Sequence, residues 1–469
     1  MKRRLRVYKK TVSIVNETAT GMYESLVGDK KGFLLESYDK NYDRYTFFGK
    51  EPEEIISSRG NALVITKNDG TQEVRNGNPL ERLKEYYSEF DIVKDNEELS
   101  FSGGLVGNLG YDFVRYAEVL PDNNPDEIGI ETVQMMLMTK FIMVDHVAET
   151  LTGIILGEDT PEGREKSLEE AEELIRQALA NKGRASEKNF THDGVIVNQS
   201  DSLEQYSQKV EKIKEYIREG HIFQTVLSQR WTIETKQSGF ELYKELRELN
   251  PSPYLYYFNY GDFEVIGSSP EMIVKQQGNR VYTCPIAGTR KRGADAEEDA
   301  LLRDELLQDE KERAEHVMLV DLARNDMGRI SEFGTVKVTQ FMEVQNYSHV
   351  MHIVSMVEGR KKGEFHPLDL VSSFLPAGTL SGAPKIRAME IIDELESVRR
   401  GLYGGATGYI DFSGDMDFCI TIRTMIKKGK RVYLQAGAGI VADSIPENEY
   451  QECCNKVMAL AKTLMHYIH

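Results

Sequence analysis

Four carboxylates in two helical segments of the sequence have the spacing needed to bind a divalent cation. Glu312 and Glu315 are three residues apart in DEKERAEHVMLVDL, so their carboxylates lie on one face of a helix. Glu449, Glu452 and Lys456 share one face of the last helical segment in the same way. Two acidic pairs on two helices predict a site for Mg²⁺, which prefers carboxylate oxygens and keeps positions for water or substrate.

The spacing of these glutamates does not by itself identify a metal site. The pairs Glu169/Glu172 and Glu245/Glu248 have it too, and a solvated helix face is its ordinary explanation. The pair at 312 and 315 differs because it runs into the apolar stretch HVMLVDLARND, which predicts burial. Buried carboxylates need a cation or hydrogen bonds.

Two histidines and one arginine are further candidates for chemistry. His349 and His352 lie three apart in the apolar stretch NYSHVMHIVS, where an imidazole is either a core residue or a general acid or base. Arg423 lies in FCITIRTMI (418–426), whose alternation predicts one strand with apolar residues on one face and Arg423 on the other. Arg423 is then either a surface charge or a bidentate clamp for a carboxylate.

Three glycine-rich turns could bring backbone N–H groups close to an anion. They lie at 286–290, 377–385 and 436–439. None matches the GxxxxGK[ST] phosphate loop or the GxGxxG dinucleotide pattern, so nucleotide cofactors are disfavoured.

The elements that must position these residues alternate between strands and helices. Residues 1–157 mix short β-like runs with glycine turns, and a polar connection with one charged helix near Lys166–Ala180 follows at 158–200. The region 201–469 begins with an amphipathic helix stopped by Gly220 and continues with strands and helices. This mixture predicts an α+β or α/β fold.

Composition excludes several classes of partner. The 469 residues carry a formal net charge of −18, the opposite of a nucleic-acid or anionic-membrane footprint. The start, MKRRLRVYKK, predicts a basic strand rather than a signal peptide, because no apolar run follows it. The four cysteines (Cys284, Cys419, Cys453 and Cys454) lack metal-like spacing, so we expect reduced thiols in a cytoplasmic protein.

Motifs in one order along nearly the whole chain resemble the chorismate-utilising enzymes, most closely the anthranilate synthase component I family. They are LLES (34–37), SGGLVGNLGYDFVRY (102–116), IFQTVLSQR (222–230), NPSPY (250–254), GSSPE (267–271), PIAGTRKRG (285–293), KERAEHVMLVDLARND (311–326), YSHVMH (347–352), AGTLSGAPK (377–385), GLYGGATGY (401–409), ITIRT (420–424), AGAGIVADS (436–444) and a terminal E-x-x-E-x-x-x-K. The resemblance implies an α+β fold in which two large antiparallel β-sheets pack as a sandwich with helices around them.

The resemblance also implies a site and a reaction. Glu315 and Glu452 correspond to Mg²⁺ ligands, with Glu312 and Glu449 as their partners, and the metal would hold the ring carboxylate of chorismate. His352 corresponds to a histidine near the departing C4 hydroxyl, and Thr379 to a nearby polar residue. The implied substrate-binding positions are Gly288, Thr289, Tyr403, Arg423, Gly437, Ala438, Gly439 and Lys456. The expected reaction adds ammonia at C2, releases the C4 hydroxyl and eliminates pyruvate to give anthranilate.

Ammonia requires a source. None of the four cysteines lies in a Gly-x-Cys-x-Gly context that would suit a nucleophile for glutamine hydrolysis. The resemblance therefore implies a separate glutamine amidotransferase subunit and a hetero-oligomer.

Two close alternatives and one distant alternative differ in testable ways. Isochorismate-forming relatives carry a water-activating lysine where this chain has Gln224, which favours ammonia as the nucleophile. Many aminodeoxychorismate synthases carry a lysine at the position of Ala287, although some have alanine, so aminodeoxychorismate synthesis remains the alternative enzyme function. A tryptophan-sensing protein without catalysis is the non-enzymatic alternative.

The resemblance also implies an inhibitor pocket for L-tryptophan, formed by LLES and NPSPY. Its expected residues are Leu35, Glu36, Ser37, Pro253, Tyr254 and Leu255, where the family commonly has methionine at the last position.

The charges of the four site glutamates balance those of Mg²⁺, Arg423 and Lys456, so chorismate binding is expected to require the metal.

Overall fold

The computed structural model describes residues 2–15, 17–37, 44–93, 99–180, 191–346 and 350–465. The strands in these ranges are β1 (Arg3–Ser13), β2 (Gly32–Glu36), β3 (Tyr45–Lys50), β4 (Glu54–Ser58), β5 (Ala62–Lys67), β6 (Gln72–Asn76), β7 (Phe90–Val93), β8 (Gly104–Leu109), β9 (Val133–Met138), β10 (Lys140–Asp145), β11 (Thr150–Glu158), β12 (Val195–Gln199), β13 (Gln224–Glu234), β14 (Tyr254–Asn259), β15 (Glu264–Ser269), β16 (Met272–Gln277), β17 (Arg280–Thr283), β18 (Ile286–Lys291), β19 (Lys337–Asn346), β20 (Val350–Arg360), β21 (Gly382–Ala383), β22 (Ala406–Asp411), β23 (Met416–Ile420), β24 (Thr424–Lys428) and β25 (Arg431–Ile440).

The α-helices in the same ranges are α1 (Ala19–Leu26), α2 (Pro79–Tyr87), α3 (Pro161–Ala178), α4 (Leu203–Arg218), α5 (Gly239–Leu249), α6 (Ala296–Gln308), α7 (Glu310–Ile330), α8 (Pro367–Phe374), α9 (Lys385–Leu395) and α10 (Pro446–Ala461). The predicted helix after residue 200 is confirmed as α4. It begins with a capping box of Ser202 and Gln205, buries Tyr206, Val210 and Ile213, and is followed by Gly220 at φ +79°. Of the helices in the described ranges, none combines the length and the apolar character needed to cross a lipid bilayer.

The strands form two large sheets. The first has the order β12-β13-β25-β24-β15-β14-β2-β3-β10-β11-β1-β7, with β21 beside β13. The second has the order β18-β20-β17-β16-β23-β22-β8-β9-β4-β5-β6, with β19 beside β20. Apart from the parallel pair β1/β7, neighbouring strands are antiparallel.

Three hydrophobic layers hold the sheets and helices together. The middle layer, between the sheets, is rich in aromatic residues such as Phe33, Phe101, Phe141 and Phe258. A second layer packs the first sheet against helices that include α1, α3, α4, α5 and α10. A third packs the second sheet against α2, α7 and α8. The predicted α+β sandwich is therefore confirmed.

Four strands continue from one sheet into the other across very short connections. These connections lie between β3 and β4, β9 and β10, β15 and β16, and β23 and β24, and each contains one to three residues. We call them the strand crossings. Strands before residue 158 and after residue 200 contribute to both sheets, and the division at 1–157, 158–200 and 201–469 stays a prediction.

The prediction of one continuous strand at 418–426 is wrong. The segment 418–426 is not one strand, because β23 ends at Ile420 in the second sheet and β24 begins at Thr424 in the first. Arg423, at φ +51°, breaks the extended backbone between them. The neighbouring strands β17 and β18 are likewise separated at Pro285, which has no N–H to donate to a sheet.

Candidate active site

A polar cavity of about 240 Å³ lies between the sheets, bounded by strands β13, β18, β20 and β25 and by helices α7 and α10. We call it the central pocket. It brings together ten residues predicted from the sequence, namely Thr289, Glu315, His352, Thr379, Tyr403, Arg423, Gly437, Gly439, Glu452 and Lys456. Four predicted residues do not line it: Gly288, Glu312, Ala438 and Glu449. Ala438 points instead into the layer beneath the first sheet, because neighbouring strand residues face opposite sides.

Two strand crossings deliver ionisable side chains to this pocket. Glu271 lies in the crossing between β15 and β16, and Arg423 in the crossing between β23 and β24. The backbones are tied to their neighbours, since Ile420 N donates to Glu271 O at 2.9 Å and Ser268 N donates to Arg423 O at 3.1 Å. The local fold therefore places both side chains between the sheets rather than on a sheet surface.

Arg423 supplies a cation without a carboxylate partner. Burial lowers the pKa of its guanidinium, and no carboxylate in the described ranges lies within ion-pair distance of it. Its left-handed backbone is unusual for a residue with a side chain and marks a position held by its surroundings. A buried guanidinium facing a cavity is suited to bind a carboxylate of a ligand through paired hydrogen bonds.

The predicted glutamates bring negative charge from two helices to the same side of the pocket. Glu315 on α7 and Glu452 on α10 both line it. Burial, and then the charges of Glu312 and Glu452, raise the pKa of Glu315. Burial and the charge of Glu452 likewise raise the pKa of Glu449. The carboxylate of Glu315 is therefore repelled by those of Glu312 and Glu452, and the carboxylate of Glu449 by that of Glu452.

The arrangement fits Mg²⁺ bound jointly by protein and substrate. No group of three or more His, Cys, Asp or Glu side chains in the described ranges is gathered closely enough to hold a metal ion alone. Magnesium, however, is commonly bound through one or two carboxylates, with water and substrate oxygens completing the shell. Two mutually repelling carboxylates that face the cavity, Glu315 and Glu452, fit that mode.

Lys456 places a second cation at the pocket. Its ammonium lies 2.7 Å from a carboxylate oxygen of Glu452 and donates to the carbonyl oxygen of Gly437 at 2.8 Å. A side chain on Gly437 would reach Val226 and the Tyr403 hydroxyl at about 3 Å, and one on Gly439 would meet the amide of Gln224. The glycines therefore keep the floor of the pocket open.

His352 is held by the turn that precedes Thr289. Its Nδ1 lies 2.9 Å from the carbonyl oxygen of Gly288 and 3.0 Å from Thr289 Oγ1. Because a carbonyl oxygen only accepts hydrogen bonds, Nδ1 carries a hydrogen. Burial lowers the pKa of His352, so the ring is neutral near pH 7. The other predicted histidine, His349, lies outside the described residues.

Sequence reasoning missed Glu271 as a functional residue. Its carboxyl group lines the central pocket and accepts a hydrogen bond from Thr379 Oγ1 at 3.0 Å. Burial raises its pKa to about 8, although Thr379 and Lys456 act in the opposite direction. The motif GSSPE includes Glu271 but does not show where its side chain points. The position of Glu271 at a strand crossing directs the carboxyl group into the pocket, and burial there favours its neutral form.

Gln224 has an unused acceptor in the same pocket. Its Oε1 is buried and has no hydrogen-bond partner within the ranges that the structure describes. An unsatisfied buried acceptor costs stability, so this position is one that a ligand with an N–H or O–H group could satisfy.

A second cavity of about 180 Å³ lies beside the central pocket. We call it the side pocket. All six predicted inhibitor residues line it: Leu35, Glu36, Ser37, Pro253, Tyr254 and Leu255. Its charged groups are already paired. Glu36 binds the hydroxyl of Tyr243 and accepts from Arg247 Nε at 2.8 Å, and Asp417 accepts from Tyr254 and pairs with Lys275.

Comparisons with known proteins agree with this geometry. The family of chorismate binding enzymes matches residues 33–462. Anthranilate synthase component 1 of Acetivibrio thermocellus is 44% identical over 458 residues, covering 96% of this chain and 93% of its own. The same component of Bacillus subtilis (strain 168) is 42% identical over 450 residues, covering 92% and 87%.

Solved structures support the same relationship. Anthranilate synthase component I from Streptococcus pneumoniae TIGR4 superposes with a TM-score of 0.77 at 40% identity, covering 89% of this chain and 92% of that one. The menaquinone-specific isochorismate synthase of Escherichia coli shares the fold with a TM-score of 0.73 at 17% identity, covering 98% and 95%. By sequence and by fold, the chain belongs to the family of chorismate binding enzymes and, within it, to the anthranilate synthase component 1 group.

Proposed function

We propose that this chain is the large component of an anthranilate synthase, which converts chorismate and ammonia into anthranilate, pyruvate and water. The observation that carries the proposal is the central pocket itself. It combines an arginine that has no carboxylate partner in the described ranges, two glutamates that face the cavity and a buried carboxylic acid with a raised pKa. That set suits a dicarboxylate substrate that must lose a hydroxyl group.

Arg423 and Lys456 would bind the anionic groups of chorismate, and Glu315 and Glu452 would hold Mg²⁺, with Glu312 and Glu449 supporting them. When bound, the metal neutralises the ring carboxylate and withdraws electron density from the ring. Arg423 and Lys456 would then stabilise the negative charge that develops on the substrate during the reaction.

Glu271 is the proton donor of our proposal. Hydroxide is a poor leaving group, so the C4–O bond breaks more readily when a neighbouring acid protonates the oxygen. Glu271 retains its proton at neutral pH because its pKa is about 8. His352, whose ring is neutral, would orient the C4 hydroxyl, and Thr379 holds the Glu271 carboxyl in place.

Ammonia would approach C2 from the side of Gln224. The free Oε1 of Gln224 can accept a hydrogen bond from ammonia, whereas it cannot remove a proton from water. The C2–N bond forms as the C4–O bond breaks, the proton of Glu271 leaves in the water molecule, and the new C2 ammonium returns one proton to the Glu271 carboxylate. The C2 proton then moves to the methylene carbon of the enolpyruvyl group as the C3–O bond breaks, which releases pyruvate and leaves an aromatic ring.

We propose a glutamine amidotransferase subunit as the ammonia source. Burial raises the pKa of Cys284 and of Cys453 to about 12, and it raises those of Cys419 and Cys454 as well. A nucleophilic cysteine needs the opposite, a lowered pKa. The chain alone should therefore use ammonium but not glutamine, and efficient use of glutamine by the pure chain would contradict the proposal.

The side pocket is our proposed site for feedback inhibition by L-tryptophan. Its lining is mostly apolar and includes Tyr45, Phe47, Tyr254 and Tyr409, which suits an indole ring. We also propose a cytoplasmic location, in agreement with four cysteines that form no disulfide.

Incubation of the purified chain with chorismate, Mg²⁺ and ammonium tests the function. We expect a fluorescent product with the mass of anthranilate. A product with the mass of aminodeoxychorismate would identify the alternative enzyme, and the absence of any amine-containing product would reject both.

Two variants link this activity to the central pocket. Glu315→Gln and His352→Ala should lower turnover about 100-fold or more with unchanged circular dichroism. Glu169→Gln removes an exposed charge from α3 and serves as the control. Near-normal turnover of Glu315→Gln or of His352→Ala would reject the role given to that residue.

A further inference from the structure

The central pocket and the side pocket share one wall. Pro270 and Ile286 line both cavities. Glu271 faces the central pocket, whereas the next residue, Met272, faces the side pocket. The wall is therefore as thin as the strand crossing itself.

Backbone pairing makes the crossing a stiff connection between the two cavities. Met272 begins β16 and lies opposite Cys419, which also lines the side pocket. Ile420 N donates to Glu271 O at 2.9 Å, and Ser269 Oγ donates to Ile420 O at 2.7 Å. A shift of the Met272 backbone must therefore carry Glu271 with it.

A second connection runs through β18, β19 and β20. Ile286 lies opposite Val354 in the ladder, and Gln345, which lines the side pocket, lies opposite His352. Both groups that we place near the departing hydroxyl, Glu271 and His352, thus adjoin residues of the side pocket.

We propose that Met272 and Ile286 are positioning residues that couple the occupant of the side pocket to the placement of Glu271 in the central pocket. The inference deepens the proposed function and rests on it. Protein interiors are close-packed, so a ligand that presses on one side of a thin wall displaces the other. A displacement of about 1 Å at a reacting group can cost about 100-fold in rate.

The coupling has a measurable definition. The strength of the coupling is the kcat/KM measured without L-tryptophan divided by the kcat/KM measured at saturating L-tryptophan. If the coupling acts on binding, chorismate must weaken tryptophan binding by the same factor. A residue that only binds tryptophan changes the concentration needed for inhibition, whereas a positioning residue changes the limit reached at saturation.

Three variants separate these effects. Met272→Ala should lower the ratio at least about fivefold, because the shortened side chain no longer presses on the crossing. Met272→Leu, which keeps the volume, should restore it. Leu35→Ala trims the same pocket from the first sheet and should raise the tryptophan concentration required while leaving the saturated ratio within about twofold of wild type.

Ile286→Val provides an independent variant should Met272→Ala fail to fold, as judged by its thermal melt. It should also lower the saturated ratio. An unchanged ratio in both Met272→Ala and Ile286→Val overturns the inference, and so does wild-type protein that makes anthranilate but does not respond to L-tryptophan. Failure of the proposed function is distinguished from these outcomes because it would appear without tryptophan, as the absence of any amine-containing product.

Discussion

The central pocket and the side pocket have similar sizes, about 240 and 180 Å³, but opposite chemistry. In the side pocket the charged groups already satisfy one another, as in the pairs Glu36–Arg247 and Asp417–Lys275. In the central pocket Arg423 has no carboxylate partner among the described residues, and Glu315 and Glu452 repel each other. Charge balance, rather than volume, therefore separates a site for an anionic substrate from one for an apolar effector.

The origin of this difference lies in the backbone. The side pocket is lined mainly by regular strands and reaches a strand crossing at Pro270, whereas the central pocket is lined by Glu271 and Arg423 from two strand crossings. A side chain on a regular strand must face one side or the other. A residue in a crossing is released from that alternation and can place a charge between the sheets.

Removal of Mg²⁺ should separate the two pockets most strongly. A chelator is expected to abolish turnover and to weaken chorismate binding, because Glu315 and Glu452 would then repel an anionic substrate. Binding of L-tryptophan to the side pocket should not change, as calorimetry with and without chelator will show. Chorismate that binds equally well without the metal would refute the charge argument.

Arg423→Ala should lower kcat/KM for chorismate about 1,000-fold, because a buried charge-assisted interaction with the substrate is lost. Lys275→Met, which removes a cation from the side pocket, should change it by less than about threefold. Steady-state kinetics with ammonium as the nitrogen source measures both. Equal effects of the two substitutions would remove the contrast between the pockets.

Glu271→Gln should lower kcat about 100-fold, because an amide cannot supply the proton. In the wild type, kcat should fall as the pH rises past about 8, where Glu271 loses its proton. Thr379→Val should move this fall to higher pH, since the Thr379 hydrogen bond favours the charged carboxylate. A pH profile that is the same in wild type and Glu271→Gln would contradict the assignment.

Ser37→Phe should fill the side pocket and raise the inhibitory concentration of L-tryptophan at least about tenfold, while kcat/KM without tryptophan falls less than about threefold. Ser37→Ala, which adds no volume, is the matched control. Inhibition curves at fixed chorismate measure the effect, and unchanged sensitivity of the phenylalanine variant would place tryptophan elsewhere.

A modest change in thermal stability is also expected from the buried carboxyl group of Glu271. The folded-state pKa of Glu271, about 8, lies above its ordinary value of 4.5, so the unfolded chain releases this proton first and stability falls as the pH rises between those values. Glu271→Gln removes the penalty and should raise Tm at pH 7.5 by about 1–3 °C. Glu169→Gln should show no such pH-dependent gain in a thermal melt.

Much of the fold and of the site could be predicted because the signals are local. The periodicity of 203–217 predicted α4, and the motifs identified Glu315, His352, Arg423 and Lys456, all of which line the central pocket. Helical spacing also placed Glu449 and Glu452 correctly on one helix.

The missing parts depend on tertiary structure. Nothing in ITIRT shows that the chain leaves one sheet and enters the other at Arg423, because isoleucine and threonine favour strands on both sides of the break. Glu271 follows a proline in a polar segment and gave no sign of burial in the sequence. Its raised pKa is a property of its surroundings, not of its neighbours along the chain.

The strand crossings also have a mechanical consequence. They fix the two sheets to each other, because each connection of one to three residues is too short to allow one sheet to slide over the other. Glu271 and Arg423 lie in two of these crossings, whereas the crossings at 51–53 and at Thr139 contain no residue of the proposed reaction. Sliding of one sheet over the other must therefore displace the backbone at the crossings, including those that contain Glu271 and Arg423. The distance between the Cα atoms of these two residues should therefore change when the sheets move relative to each other.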